Sequence, residues 1–212
     1  MRGFARDIVF VVLGAAVYGA VLAWWRSPVM AAYVAVKLPA VFVGATLVVS
    51  AFSWIAALAA GADMRYRDVL RHVFSAMAVA GKILLALAPV VLFFILSGAR
   101  EAGTAAEMRL THSAMIFVHV LVLATAGLIG NVSLYRRLAA TVPKGCSVAL
   151  LLSLWVGSFA LVGCQLGWMM RPLVGSPNIS VEFLREDALK GNFVESVFTQ
   201  IIPTLIRKGE IK

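Results

Sequence analysis

Tyr66 to Leu96 reads YRDVLRHVFSAMAVAGKILLALAPVVLFFIL. From Ala76 to Ser97 the run contains a single charged residue, Lys82. A helix of about 20 apolar residues crosses the ~30 Å hydrocarbon core of a bilayer, so this stretch has the length and polarity of a membrane span. The preceding part differs in kind. Arg67, Arg71 and His72 fall on one helical face, with Val69, Val73 and Phe74 on another. That pattern predicts a surface helix over Tyr66–Ser75 that bends into the span. Pro89 is expected to kink the span, because proline lacks the backbone N–H and its ring crowds the preceding turn.

Four more apolar runs have the same character, at roughly Ile8–Trp25, Leu38–Ala60, Leu110–Ser133 and Cys146–Met170. They are continuous rather than alternating, which excludes the strands of a membrane barrel. Lipid offers no partner to a free backbone N–H or C=O, so each run must be helical. The expected fold is therefore all-α: a polytopic transmembrane helix bundle of about five spans, with short interfacial helices. Residues 1–170 form the bundle and 171–212 an amphipathic C-terminal tail. Met1 to Trp25 lacks a small-residue cleavage site and runs into another apolar stretch, so it reads as the first span rather than a signal peptide. Ser27–Pro39, SPVMAAYVAVKLP, is too short to cross alone. With Pro28 suited to a first turn and Pro39 to a break, it is expected to be a re-entrant or interfacial helix.

Composition agrees. The 212 residues are 62% hydrophobic and 14% charged, against about 25% charged in soluble domains. The net charge of +9 fits topology signals and anionic lipid better than nucleic acid, for which no basic run is dense enough. Cys146 and Cys164 both lie in an apolar run, which argues against a disulfide framework or a zinc site. With five spans, Arg2, Arg6, Arg65, Arg67, Arg71, Arg136, Arg137 and Lys144 share the side of the N-terminus. Arg26, Lys37, Arg100 and Arg109 lie opposite. Eight against four predicts a cytoplasmic N-terminus.

The last span ends in CQLGWMMRPLVGSPN, residues 164–178. Trp168 is placed for the water interface, and Arg171 can extend its charge to the headgroups. Pro172 ends the helix, and Gly175 and Pro177 mark a turn. From Asn192, the residues Phe193, Val194, Val197, Phe198, Ile201, Ile202, Leu205 and Ile206 recur at helical spacing. Asn192 is positioned to cap this helix, with Glu195 three residues on. Pro203 should kink or end it. Such a helix can lie in the membrane interface, dock a partner helix, or pack beneath its own bundle.

Polar side chains within spans are costly in hydrocarbon and are therefore the candidate functional residues. They are Lys82, His112, His119, Asn131 and Gln165. Lys82 can extend its ammonium to the interface or face a cavity. Gln165 and Asn131 suit interhelical hydrogen bonds. Met108, His112, Met115 and His119 lie along one helical face, and Met with His can bind copper. The two histidines are separated by about 10.5 Å of helical rise, however, and cannot share one ion from a single helix. No metal and no cofactor is expected. No G-x-S-x-G, H-E-x-x-H or P-loop is present, and no carboxylate pair lies within a span, which argues against an enzyme.

Several stretches carry a resemblance: KLP at 37–39, LAPVVLFF at 87–94, GCQLGWMMRPLVGSPN at 163–178 and GNFVESVF at 191–198. They resemble an uncharacterised family of bacterial multi-pass inner-membrane proteins, sometimes described as Yip1-like. The most specific part is the cluster of Gln165, Trp168, Arg171, Pro172, Gly175 and Pro177. The resemblance implies a bacterial inner-membrane location and this architecture, and it implies no activity. The expectation is a non-enzymatic accessory, scaffold or assembly subunit. It would work through the bilayer and a protein partner, or a second copy of the chain. The competing expectation is a small channel or carrier, with Lys82, His119 and Gln165 along a polar path.

Overall fold

The computed structural model describes residues 2–99, 104–143, 145–175, 180–186 and 188–201. Among them the elements are helical: α1 (Arg2–Ala23), α2 (Pro28–Ala59), α3 (Tyr66–Phe94), α4 (Ala105–Thr141), α5 (Val148–Met169) and a short α6 (Phe193–Ser196). π-Helical turns continue α3 over Ile95–Ala99 and α6 over Val197–Ile201. The first five helices are long and apolar enough to cross a membrane, so the chain is a multi-pass membrane protein by length and composition. Pro177 and Pro203 lie outside the described residues.

The structure differs from the sequence reading at two places. Ser27–Pro39 is not a separate helix: α2 is continuous from Pro28 through Pro39 to Ala59. The Ser27 hydroxyl caps it by accepting from the Met30 N–H at 3.1 Å, and Pro28 sits in the first turn. Met30, Val34 and Leu38, spaced by four, are buried against Tyr18 and Leu22 of α1. Packing on both sides of Pro39 holds the helix through the hydrogen bond that proline cannot make, a defect membrane helices tolerate. Likewise Tyr66–Ser75 is the first part of α3 itself. Val69, Val73 and Phe74 are buried, while Arg67 and Arg71 are exposed, with an Arg71–Asp68 ion pair at 4.0 Å. The amphipathic pattern was read correctly, but its apolar face meets the protein's own helices. At 32 residues, α2 is about 48 Å long, well beyond the hydrocarbon thickness.

The helices run alternately up and down. At one end the α2–α3 and α4–α5 connections meet, where the Cys146 thiol points to the Ala60 carbonyl at 3.3 Å. At the other end, the α1–α2 connection, the start of α4 and the chain after α5 come together around Trp25. We call this second end the strap end. α1 lies between α2 and α3, α3 packs on α4, and α5 leans mainly on α2.

The tightest seam is between α1 and α3. A Cβ on Gly14 would overlap the backbone of Gly81, and a Cβ on Gly81 would overlap the Phe10 carbonyl. Lipid tails are as apolar as the side chains, so close backbone approach is what holds membrane helices together. Gly81→Ala should therefore force α1 and α3 apart, at about 1–3 kcal/mol by analogy with overpacked cores. Unfolding in mixed micelles with increasing SDS should show an earlier midpoint; an unchanged midpoint would remove this seam from the account.

Candidate functional site: the strap and the intramembrane slot

α5 ends where its sequence says it must, with Met170 as the C-cap before Pro172. The chain then turns back over the bundle. The Trp25 indole N–H donates to the Val174 carbonyl at 2.9 Å. The Lys37 ammonium donates to the Pro172 carbonyl at 3.2 Å. Gly175 is buried at φ +80, and a Cβ there would press on the Arg26 side chain at 3.2 Å. This left-handed conformation beside a neighbouring side chain is one that glycine accepts freely. Residues 171–175 thus form a strap clasped to the α1–α2 corner.

The motif residues are used in this clasp. The Arg171 guanidinium lies over the Trp168 ring at 3.5 Å, a cation–π contact that is strongest when shielded from water. Trp168 meets Phe193 edge-on, with ring centroids 6.5 Å apart. The Gln165 side-chain oxygen accepts the Phe193 N–H at 3.0 Å. Asn192 caps α6 by accepting from the Glu195 N–H at 2.7 Å, as its spacing predicts. Gln165 therefore satisfies a free donor in the first turn of the tail helix. Further along the tail, Phe183 stacks edge-on with Tyr33 and lies 5.0 Å from the Lys37 ammonium.

The remaining candidates go to different places. Lys82 is exposed, with its ammonium 4.7 Å above the Phe10 ring of α1. His112 lies beside Trp25, with ring centroids 5.9 Å apart. His119 stacks on Tyr18 at 5.7 Å, and its Nδ1 is 3.1 Å from the Tyr18 hydroxyl. The two histidines have separate aromatic partners, and Met115 between them is buried in the core. Lys82, His119 and Gln165 are not brought to one path.

His119 and Asn131 do share a feature invisible in the sequence. They line a cavity of about 450 Å³ walled by α2, α3, α4 and α5. Its surface is otherwise apolar, including Phe42, Val49, Leu123 and Phe159. Near its N-terminus α5 closes on α4, where Leu151 and Trp155 pack against Leu134 and Leu138. Towards its C-terminus it leans on α2 instead, with Leu166 approaching Gly44. α4 and α5 splay apart between these points, and Cys164 is exposed in the gap.

Sequence reasoning missed three of the working residues. Lys37 read as a helix break, yet it is 1% exposed. Tyr18 drew no attention in the sequence, and Trp25 entered only as the end of the first apolar run. A phenol or a lysine amid small apolar residues was the available signal, since each needs a hydrogen-bond partner when buried.

No protein-family model, no curated protein and no solved structure matches the chain.

Gln165→Leu should leave the five long helices folded and release the tail, because one hydrogen bond is worth about 1 kcal/mol. Trp25→Phe should loosen the strap in the same way. Limited proteolysis in detergent should cleave both variants between residues 171 and 201 faster than the parent chain, with helical circular dichroism little changed. Equal cleavage rates would show that neither bond holds the tail.

Proposed function

We propose that this protein is a non-enzymatic accessory or assembly subunit of a membrane complex, and that it engages its partner through the strap and tail. The observation that carries this reading is the apolar surface on the clasped tail. Phe183, Leu184, Leu189, Val194 and Phe198 are exposed, Leu189 at 74% and Phe198 at 66%. An exposed apolar surface outside the spans is the mark of an interaction site. The tail docks at the strap end beside Trp168, and tryptophan favours the boundary between water and membrane. There it can face another membrane protein or a second copy of this chain.

The rest of the reading is consistent with this role. Gln165 holds the tail and Lys82 is exposed on the outside of the bundle, so two of the three residues of the channel reading have other uses. With the tail's six basic and five acidic residues left aside, the N-terminus and short connections carry eight basic residues at the end opposite the strap against four at the strap end, which favours a cytoplasmic N-terminus in a bacterial inner membrane. The motif around Gln165, Trp168, Arg171, Pro172 and Gly175 forms one clasp that holds the tail at this end.

One preparation tests the reading against its competitor. The full chain, extracted from its native membrane in mild detergent, should co-elute with a stoichiometric membrane protein or as a defined oligomer. Phe198→Ser with Leu189→Ser should abolish that association. The same chain in liposomes should carry no ion flux above protein-free controls. Reproducible flux from the purified chain, with no associated protein, would establish the channel reading in its place.

A further inference from the structure

We propose that the slot between α4 and α5 binds one acyl chain, whose carbonyl head accepts a hydrogen bond from His119. The length of the slot matches one acyl chain. The lining on α5 runs from Trp155 to Gly167, 12 residues and therefore about 18 Å of rise. Half of the ~30 Å hydrocarbon core is about 15 Å, so the slot has the length of one leaflet's chain.

The polar group identifies the head. His119 lines the slot, while its Nδ1 faces Tyr18 of α1, a helix that takes no part in the lining. Tyr18 has one recorded partner, so the arrangement that uses its O–H has Tyr18 donating to Nδ1. Nε2 then carries the proton. It has no hydrogen-bond partner among the described residues, and a donor in an apolar cavity gains from an acceptor. Tyr18 is five residues inside the strap-side end of α1, about 7.5 Å below it. That puts the Tyr18–His119 pair in the strap-side half of α1. Asn131, 12 residues further along α4, lies towards the other end of the slot.

This proposal is independent of the tail's role. It is tested on the full chain in lipid-free detergent, by maleimide labelling of Cys164 resolved from Cys146 by peptide mapping. Oleic acid and 1-oleoyl-lysophosphatidylcholine should each be tried, and octadecane beside them. Protection of Cys164 by either acyl compound supports the slot, and the better of the two identifies the source as free acid or membrane lipid. Octadecane, which has no acceptor, should protect less. His119→Phe keeps the aromatic stack and should weaken acyl protection about fivefold, the value of one hydrogen bond. Asn131→Leu should leave it unchanged. Gly127→Leu projects into the slot from α4, where a Cβ meets no atom within 4 Å, and should abolish protection. Native mass spectrometry of each folded variant should then show one acyl compound bound to the parent chain and none to Gly127→Leu. Cys164 labelling indifferent to both acyl compounds would overturn the proposal. So would an effect of Asn131→Leu in place of His119→Phe, or a cross-link from Cys164 to a second polypeptide in native membranes.

Discussion

Everything in the bundle is referred to the place where the backbones of α1 and α3 touch. Gly14 meets Gly81, and Gly81 meets the Phe10 carbonyl, with no room for a side chain on either. In water such a seam would be one contribution among many. In lipid the apolar surface gains little by leaving its solvent, so shape and close approach decide which helices meet. Once α1 is seated on α3, its other side presents Tyr18 and Leu22 to Met30, Val34 and Leu38 of α2. α2 is thereby fixed along its first three turns, and α5 in turn leans on α2.

The same seating explains why Lys37 can be buried. A lysine in the interior of a membrane bundle is costly unless its ammonium is satisfied. Here the chain emerging from α5 is turned by Pro172 and brings a carbonyl to it, while the Phe183 ring covers it at 5.0 Å. Trp25 adds a second point of attachment, and Gly175 is buried in the turn beside it. The strap thus joins the two ends of the chain: it carries the geometry of α1 and α2 to the tail, and Gln165 extends it to α6. A change in how α5 sits against α2 would be felt at the tail surface without passing through any charged relay.

The spans were legible because hydrocarbon demands long apolar helices, and a sequence cannot hide 20 such residues. The end of α5 was legible for a local reason too: Pro172 and Gly175 act within a few residues of themselves. Asn192 was read as a cap on the same grounds. Ser27–Pro39 was misread because Lys37 and Pro39 are local signals for a stop, and tertiary packing against α1 overrode them. The strap's bonds join residues as far apart as Trp25 and Val174. The slot collects side chains from four helices. Neither leaves a periodicity or a spacing in the chain, so neither could be read from it.

The slot also illustrates how membrane burial differs from burial in water. Moving a methylene from water into an apolar site stabilises by about 0.8 kcal/mol. Moving it from the bilayer into an equally apolar cavity yields almost nothing, because it was never in water. Apolar lining therefore accounts for what can enter the slot and not for what stays. Selectivity must come from the few polar atoms, whose alternative partner in hydrocarbon is nothing at all. His119 is distinguished in this respect because Tyr18 occupies one ring nitrogen and orients the other. A hydrogen bond held at fixed depth reads the distance between a lipid's carbonyl and its headgroup, and a purely apolar groove cannot make that measurement.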